Sequence, residues 1–211
     1  MVMMEQLLTG FNAMSVWEYI GVATGLMYLL LAIKQSSWCW PAAFASTLIY
    51  MNLFWQGALL LESALNFYYL LMAIYGWWQW NGGLEESNSK PVVSWSLNKH
   101  IKIVLILTIV SVLVGYLAQE YTTQKMAYLD SFTTCFAVYT TYMVTQKVLE
   151  NWLYWLFIDI ASIYLYYQTG YLPTAALFVL YTFLALKGYV EWRDELKDEP
   201  IGDKKQATTL G

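Results

Sequence analysis

Charged residues are scarce in this chain of 211 amino acids: they make up 12% of it, whereas a soluble domain carries about 25%. The formal net charge is −4, and the 11 lysines and arginines form no basic patch that could bind nucleic acid. The lack of charge excludes an ordinary water-soluble domain. The lack of a basic patch argues against a nucleic-acid partner.

Cysteine and histidine are also rare. Cys39 and Cys135 lie far apart in apolar runs without a CxxC spacing, so we expect inert thiols rather than a disulfide or redox pair. The single histidine, His100, stands beside Lys99 and Lys102 and is expected to be solvated. The sequence offers neither a metal-ligand cluster nor a glycine-rich phosphate loop. We therefore expect no metal, no cofactor and no catalytic residues, and the chain is not expected to be an enzyme.

Apolar and aromatic residues dominate instead, at 59% and 18% of the chain, as suits a protein that meets two membrane–water interfaces. A helix that crosses a bilayer needs about 20 mostly apolar residues. The sequence predicts an all-α integral membrane protein, a single transmembrane domain over 1–211, with seven transmembrane helices at about 16–34, 38–57, 59–79, 101–118, 129–146, 152–168 and 172–190.

The segments outside these helices carry most of the charge. Residues 81–98 are rich in Gly, Ser, Asn and Glu and are expected to form a solvated loop. The last helix is expected to run on beyond 190 and then fray into a cytoplasmic tail, 193–211. Met1–Leu8 lacks the positive start of a signal peptide, so no cleavage is expected.

Positive charge predicts the orientation of the seven helices. With the N-terminus outside, Lys125 is the one positive residue on the outer side. The inner side then holds Lys34, Lys90, Lys99, Lys102, Lys147, Lys187, Arg193, Lys197, Lys204 and Lys205. This strong bias follows the positive-inside rule, so we predict a multi-pass plasma-membrane protein with its C-terminus in the cytoplasm.

A shift of the sequence by 112 residues reveals an internal repeat. Residues 40–80 and 152–192 give ten identities in 41 positions without a gap. Apolar identities arise by chance in such a chain, so the polar, glycine and aromatic pairs carry the signal. These pairs are Trp40/Trp152, Gln56/Gln168, Tyr69/Tyr181, Gly76/Gly188 and Trp80/Trp192.

The repeat and the orientation together predict a 3+1+3 arrangement. Residues 16–80 form the first repeat, 101–118 the linker helix and 129–192 the second repeat. An odd three-helix unit restarts in the same orientation only after one extra helix, so the repeats are parallel, as in SWEET sugar transporters. Proteins of this kind bind their substrate between the two bundles. The alternative is a duplication that serves packing alone.

Three residues of the third helix and one acid of the sixth are candidates for such a site. Ionisable groups at membrane depth are costly and usually face a cavity or pathway. Asp159 is flanked by apolar residues in the sixth helix. Glu62, Asn66 and Tyr69 are spaced by four and three residues, so they share one face of the third helix.

The sixth helix carries an aromatic stripe with the acid, because Trp152, Trp155 and Asp159 recur at spacings of three and four. Acids and aromatic rings on two facing stripes suit a flat, positively charged molecule. Other interpretations remain open: Trp152 and Trp155 as interface anchors or packing, Glu62 reaching the surface, and Asp159 as a structural acid. Glu18 and Asp130 are expected to stabilise helix starts, where an acid is favoured. The pattern around Gly76 and Gly188 indicates helix packing together with an inner aromatic belt.

These motifs resemble those of a known family. The run Glu150-Asn151-Trp152-Leu153-Tyr154-Trp155, followed by Asp159, resembles the ENWxxW signature of the PnuC family of B-vitamin transporters. Three further motifs are similar: Trp17-Glu18, Asp130-Ser131 and Tyr75-Gly76-Trp77 with Trp80. The resemblance covers the whole chain except the two tails. It implies a SWEET-like 3+1+3 fold in a bacterial inner membrane.

The resemblance also implies a mechanism, and its motif joins the helical stripes and the repeat in pointing to substrate-binding residues. Family members are expected to move an unphosphorylated vitamin by facilitated diffusion, after which a cytosolic kinase traps it, and to form homotrimers. The predicted substrate-binding residues here are Gln56, Glu62, Asn66, Tyr69, Asn151, Trp152, Trp155 and Asp159. Substrates within the family are nicotinamide riboside, thiamine and riboflavin.

Two positions favour thiamine among these substrates. Asn66 stands where the nicotinamide riboside pattern has Gln, and Asp159 stands where it has Asn. The added carboxylate suits a cationic ring, and the nearby acceptors suit an aminopyrimidine. Nicotinamide riboside is the next candidate and riboflavin a third. A proton-coupled symporter that uses Asp159, and a vitamin-binding membrane protein that does not translocate, are the alternative functions.

Overall fold

A computed structural model describes residues 9, 12–82 and 90–198 of the chain. Seven helices make up this part, namely α1 (Val16–Ile33), α2 (Cys39–Gln56), α3 (Leu60–Trp80), α4 (Leu97–Tyr121), α5 (Ala127–Thr145), α6 (Asn151–Thr169) and α7 (Leu172–Asp198). The all-α, seven-helix prediction is confirmed. The predictions for Met1–Leu8, for 83–89 and for the tail after residue 198 lie outside the described residues.

The boundaries agree with the apolar segments to within a few residues, with one clear exception. α4 begins at Leu97 rather than near 101. Its first turns contain the polar residues Asn98, Lys99 and Lys102, so a prediction from apolar length places the start too late. α7 continues to Asp198, as expected for the charged extension of the last helix. By length and composition alone, α1, α4 and α7 are able to cross a membrane.

Acids lie in the first turns of two helices, and the capping prediction is confirmed for Glu18. Ser15 and Glu18 form a reciprocal capping box at the start of α1: the Glu18 backbone N–H donates to Ser15 Oγ at 3.2 Å, and the Ser15 N–H donates to Glu18 Oε2 at 2.6 Å. Asp130 lies in the first turn of α5 and accepts a hydrogen bond from Gln124 Nε2 at 2.6 Å. A carboxylate in the first turn interacts favourably with the positive end of the helix dipole.

The chain divides into two compact units. The first unit comprises α1, α2, α3 and the connection as far as Pro91, together with the short segment Val144–Lys147 from the end of α5. The second unit comprises Val92–Met143, with α4 and most of α5, and the chain from Val148 onward, with α6 and α7. Within the units the closest helix pairs are α2 with α3, α1 with α2, and α6 with α7.

The internal repeat is visible in the backbone. A shift of 112 residues carries α2 onto α6 at its first residue and α3 onto α7 at its first residue. The same shift relates the residues with left-handed backbone, because Gln35 (φ 53) corresponds to Lys147 (φ 52) and Ala58 (φ 58) to Gly170 (φ 87). Each of these residues ends a helix in the same geometry, so the two three-helix sets share their turns as well as their helices.

A tryptophan packed on a glycine joins the second and third helices of each set. In the first unit, Trp40 lies against Gly76, and a Cβ added at Gly76 would come closer than 3.0 Å to its ring. Trp80 meets the same ring edge-on, with centroids 5.3 Å apart. In the second unit, Trp152, Gly188 and Trp192 repeat this arrangement, with centroids 5.4 Å apart. Small residues allow this close approach of membrane helices.

The packing part of the aromatic prediction is therefore confirmed, and the belt part is wrong for two rings. Trp80 and Trp192 are at most 1% exposed, so neither is an interface anchor. Trp77 and Trp78, one turn before the end of α3, are the exposed rings in this region. Helix periodicity explains why Trp80 is buried while Trp77 and Trp78 are exposed, because Trp80 follows Gly76 by four residues and so shares its buried face.

The solvated-loop prediction is wrong for Val92 and Val93, which precede α4. Val92 is buried, and Val93 pairs with Val148 in an isolated parallel bridge. The Leu149 N–H donates to the Val93 carbonyl at 2.8 Å. This stretch therefore lies along the start of α6. The prediction was based on the polar composition of residues 81–98 as a whole, which hides the two apolar residues Val92 and Val93.

We predict that Gly76→Ala and Gly188→Ala each destabilise the protein by about 1–3 kcal/mol, because the new methyl group must displace an indole ring in a packed helix pair. Gly57→Ala is the matched control: Gly57 has a negative φ, and an added Cβ would lie 3.4 Å from its nearest neighbour. Thermal unfolding in detergent measures the three variants. Wild-type stability of both test variants would contradict the packing role of these glycines.

Candidate substrate-binding site

One face of α6 gathers polar groups in an otherwise apolar helix. Asn151, Trp155 and Asp159 are spaced by four residues, and Ser162 follows at three, so their side chains lie along one stripe. Asn151, Asp159 and Ser162 are buried, and Trp155 is partly buried. The predicted stripe of Trp152, Trp155 and Asp159 stays a prediction as a binding site, and helical spacing adds Asn151 and Ser162 to this side of the helix.

The carboxyl group of Asp159 is the most unusual feature of the stripe. Asp159 is 3% exposed, and no lysine, arginine or histidine among the described residues forms an ion pair with it. Asn151 is also fully buried: its Nδ2 donates to the Val148 carbonyl at 2.6 Å, while its Oδ1 has no protein donor in the described part of the chain. Buried acceptors of this kind usually have a partner.

Trp155 belongs to an aromatic cluster of the second unit. Phe136 and Ala137 of α5 and Ile158 of α6 form its buried centre. The partly buried side chains packed against that centre are Leu107, Phe132, Tyr154 and Trp155. Trp155 thus lies one turn before Asp159 with its ring only partly covered.

Trp152 has a different environment from Trp155. Its ring is 2% exposed and lies between Gly188 and the edge of Trp192, inside the α6–α7 contact. It is therefore not an exposed interface anchor. In the second unit its surroundings are those of a packing residue, and its Nε1 is buried without a protein acceptor in the described residues.

Sequence reasoning missed the polar face of α5. Thr133, Thr140 and Thr141 are buried in the second unit, and the latter two donate to the carbonyls four residues earlier, at 2.7 and 2.8 Å. Threonine hydroxyls that bond their own helix keep the backbone satisfied while they line a polar surface. The recurrence of threonine at helical spacing within an apolar segment was the available signal.

The α3 candidates lie in the first unit and are less buried. Glu62 is exposed in the first turn of α3, and Asn66 is half-buried with its Nδ2 donating to the Glu62 carbonyl at 2.9 Å. Tyr69 is also half-buried and meets Tyr68 edge-on, with centroids 5.5 Å apart. Gln56 is the exposed last residue of α2.

The structure thus places the eight candidates in two groups, one in each compact unit. Asn151, Trp152, Trp155 and Asp159 share the first half of α6, and the other four belong to α2 and α3. Two open concavities of about 300 and 440 Å³ lie elsewhere, beside the α4–α5 connection and between α2 and α3. None of the eight candidates lines either concavity. We therefore assign the site by buried chemistry rather than by cavity size.

His100 is not solvated, contrary to the sequence prediction. Its Nδ1 lies 3.0 Å from the Tyr154 hydroxyl, and its Nε2 lies 3.5 Å from Glu150 Oε2, a distance of electrostatic contact rather than a hydrogen bond. Glu150 also accepts hydrogen bonds from the Ser94 hydroxyl and from the Trp95 N–H, the latter at 3.2 Å. The glutamate of the ENWxxW motif therefore connects the stretch before α4 to the start of α6.

Seven helices in two similar three-helix sets and a linker helix, three of them long and apolar enough to cross a membrane, define the class as a helical membrane protein. No group of three or more His, Cys, Asp or Glu side chains in the described residues could hold a metal ion. The profile of the family described as nicotinamide mononucleotide transporter matches residues 15–194. The chain belongs to this family, the PnuC family of B-vitamin transporters.

Individual relatives show which transporters the chain is similar to. The riboflavin/roseoflavin transporter RibM of Streptomyces davaonensis is 25% identical over 188 residues, which cover 86% of this chain and 87% of RibM. The nicotinamide riboside transporter PnuC of Escherichia coli is 19% identical over 206 residues, with 86% of each chain covered. The crystal structure of the vitamin B3 transporter PnuC matches with a TM-score of 0.72 at 17% identity, covering 94% of this chain and 91% of that chain. This structural likeness shows the shared fold.

The two tryptophans of α6 should separate stability from binding. We predict that Trp152→Ala lowers the free energy of unfolding by about 3–5 kcal/mol, because it empties a buried contact between helices. Trp155→Ala should have the smaller effect on unfolding and the larger effect on vitamin binding. Loss of ring stacking and cation–π contact there corresponds to roughly five- to thirty-fold in affinity. Thermal unfolding measures the stability of both variants, and calorimetric titration measures their affinity for the vitamin. Wild-type affinity in Trp155→Ala would contradict the binding role of Trp155.

Proposed function

We propose that this protein imports thiamine by facilitated diffusion and that phosphorylation in the cytoplasm then traps the vitamin. The observation that carries the choice of substrate is Asp159, a buried carboxyl group without a cationic protein partner among the described residues. Burial of an unpaired carboxylate is costly, and a positively charged ligand offsets part of that cost. The thiazolium ring of thiamine carries such a charge.

The neighbours of Asp159 suit the rest of this molecule. Trp155, one turn away and only partly covered, offers a ring face for stacking and for a cation–π contact. The Oδ1 atom of Asn151 is an acceptor that could bind the amino group of the pyrimidine. Asn66, Tyr69, Glu62 and Gln56 stay candidate binding residues of the first unit, and we propose that Trp152 holds α6 in place.

Two other vitamins have specific support. Similarity to the nicotinamide riboside transporter favours a second cationic ring, which Asp159 would also attract. Similarity to RibM favours riboflavin, whose neutral ring system would leave the carboxyl group of Asp159 without a counter-charge. Charge therefore ranks thiamine and nicotinamide riboside above riboflavin. The acceptor on Asn151 then favours thiamine over nicotinamide riboside, because thiamine has an aminopyrimidine whose amino group is a donor.

The orientation follows from the charge bias of the sequence. We propose that the N-terminus lies outside a bacterial inner membrane and the C-terminus inside, since all but one of the lysines and arginines then face the cytoplasm. Assembly into homotrimers remains a prediction from the family resemblance.

The substrate assignment predicts a ranked binding panel. Calorimetric titration of the purified protein should give the tightest binding for thiamine, weaker binding for nicotinamide riboside and the weakest for riboflavin. Asp159→Asn should weaken binding of both cationic vitamins and leave riboflavin nearly unchanged, because only the charge is removed. Asp130→Asn, the same change at a half-buried position in α5, is the control. Preferential riboflavin binding by the wild type would overturn the thiamine assignment.

Transport itself should be passive. Asp159 has no lysine, arginine or histidine ion-pair partner in the described residues, and we propose that it binds the cationic vitamin rather than relays a proton. Proteoliposomes that contain thiamine kinase and ATP should accumulate the phosphorylated vitamin. Without the kinase, we expect exchange but no accumulation, even under an imposed pH gradient. Accumulation of unmodified vitamin driven by that gradient would make the protein a proton symporter, and binding without exchange would make it a non-transporting receptor.

A further inference from the structure

The glutamate that precedes α6 does not cap its own helix. Glu150 occupies the N-cap position of α6, and its side chain makes no capping hydrogen bond. A polar side chain at this position usually accepts from the free N–H groups of the first turn. Glu150 instead accepts from the Ser94 hydroxyl with Oε1 and from the Trp95 N–H, at 3.2 Å, with Oε2. Both oxygens of its carboxylate are therefore bound to the stretch that precedes α4.

The backbone before α6 is bound to the same stretch. Val148 and Val93 form the isolated parallel bridge, and the Leu149 N–H donates to the Val93 carbonyl at 2.8 Å. Val148 and Leu149 are at most 5% exposed, so this pairing lies inside the second unit. The start of α6 is therefore held by a buried backbone pairing, which the side chain of Glu150 extends by one residue.

His100 of α4 holds the same side of α6 one turn further on. Its Nε2 atom lies 3.5 Å from Glu150 Oε2, and its Nδ1 atom lies 3.0 Å from the Tyr154 hydroxyl. Glu150 and Tyr154 are four residues apart and so lie on one face of the helix. The Tyr154 ring also packs against the buried centre of the aromatic cluster. One histidine thus contacts two positions of this face, a helical turn apart.

The neighbouring face of α6 carries two groups of the proposed binding stripe. Asn151 follows Glu150 and Trp155 follows Tyr154, and successive residues of an α-helix point about 100° apart. Contacts that fix the directions of Glu150 and Tyr154 therefore fix the rotation of α6 about its axis. The Asn151 side chain depends on this rotation, because its Nδ2 is held by the Val148 carbonyl at 2.6 Å while its Oδ1 is buried without a protein donor in the described residues.

We propose that Glu150 and His100 are positioning residues, which hold α6 at the rotation that directs Asn151 Oδ1 and the Trp155 ring towards the vitamin. This inference rests on the proposed function, in which that stripe binds thiamine. Glu150 acts through the helix and not on the vitamin, since both of its carboxylate oxygens already accept hydrogen bonds. The contact of Trp152 with Gly188 holds a different face of α6, so both contacts limit the same rotation.

Two substitutions of Glu150 separate positioning from direct attraction of a cation. Glu150→Ala removes both hydrogen bonds, whereas Glu150→Gln removes the charge but keeps an acceptor for the Trp95 N–H and gains an amide that can donate to the Ser94 hydroxyl. Calorimetric titration with thiamine should show about five- to tenfold weaker binding for Glu150→Ala and binding within about twofold of the wild type for Glu150→Gln. Equal losses in both variants would overturn the proposal, because they would assign Glu150 to direct attraction of the vitamin's charge.

A double-mutant cycle separates positioning from a general loss of structure. In an Asn151→Ala background, the acceptor that Glu150 is proposed to direct is absent, so Glu150→Ala should weaken thiamine binding by less than about a further twofold. Independent losses of structure would instead add, and Glu150→Ala would then weaken binding by the same factor in both backgrounds. That additive result would overturn the positioning role. Thermal unfolding of the four proteins checks that each is folded during the titration.

Tyr154→Phe tests the histidine contact and covers the case in which Glu150→Ala does not fold. It removes the hydroxyl that His100 contacts and keeps the packed ring, and Tyr164→Phe, at an exposed position of α6, is the matched control. We expect about three- to fivefold weaker thiamine binding for Tyr154→Phe and wild-type affinity for the control. Wild-type affinity in Tyr154→Phe would overturn the role of His100. Absence of thiamine binding by the wild type would reject the proposed substrate, and the same comparison with nicotinamide riboside would then decide the positioning role.

Discussion

The contact between a tryptophan ring and a glycine is the interaction on which the rest of this structure depends. Lipid is as apolar as the helices, so membrane helices gain little from the hydrophobic effect and associate through close packing. The Trp40 ring packs directly on the backbone at Gly76, and the Trp152 ring packs in the same way at Gly188, where any side chain would collide with it. In each unit this contact fixes the second helix against the third. In the second unit it thereby sets the direction in which the rest of α6, with Asp159, faces.

Buried polar groups of the protein fall into two kinds. In the turn before α6, Gln146 and Lys147 donate or accept hydrogen bonds and are held by neighbouring rings and amides. On α6, Asp159 lacks an ion-pair partner and the Oδ1 of Asn151 lacks a donor in the described part of the chain. Satisfied networks specify a unique structure, whereas buried groups left unsatisfied are costly. The second kind is therefore the better indicator of where a ligand binds.

The two repeats share a backbone and differ in chemistry. The helices, their left-handed ends and the tryptophan–glycine contacts recur after 112 residues. The stripe proposed to bind the vitamin does not recur, because the positions equivalent to Asn151, Trp155 and Asp159 in the first repeat are Cys39, Ala43 and Thr47. Packing constrains both copies in the same way. Positions outside the tryptophan–glycine contact are not held by this packing, so they are free to differ.

The sequence by itself determined the seven helices, the repeat and the stripe on α6, because apolar length and helical spacing are local properties of the chain. It did not determine which neighbour each face meets. Trp152 and Trp155 look alike in sequence, yet one is enclosed by Gly188 and the other is only partly covered. His100 and Lys147 look like solvated polar residues, yet the Tyr154 hydroxyl and the Gln35 side chain bind them. These partners come from elements distant in sequence, so only the tertiary structure could decide them.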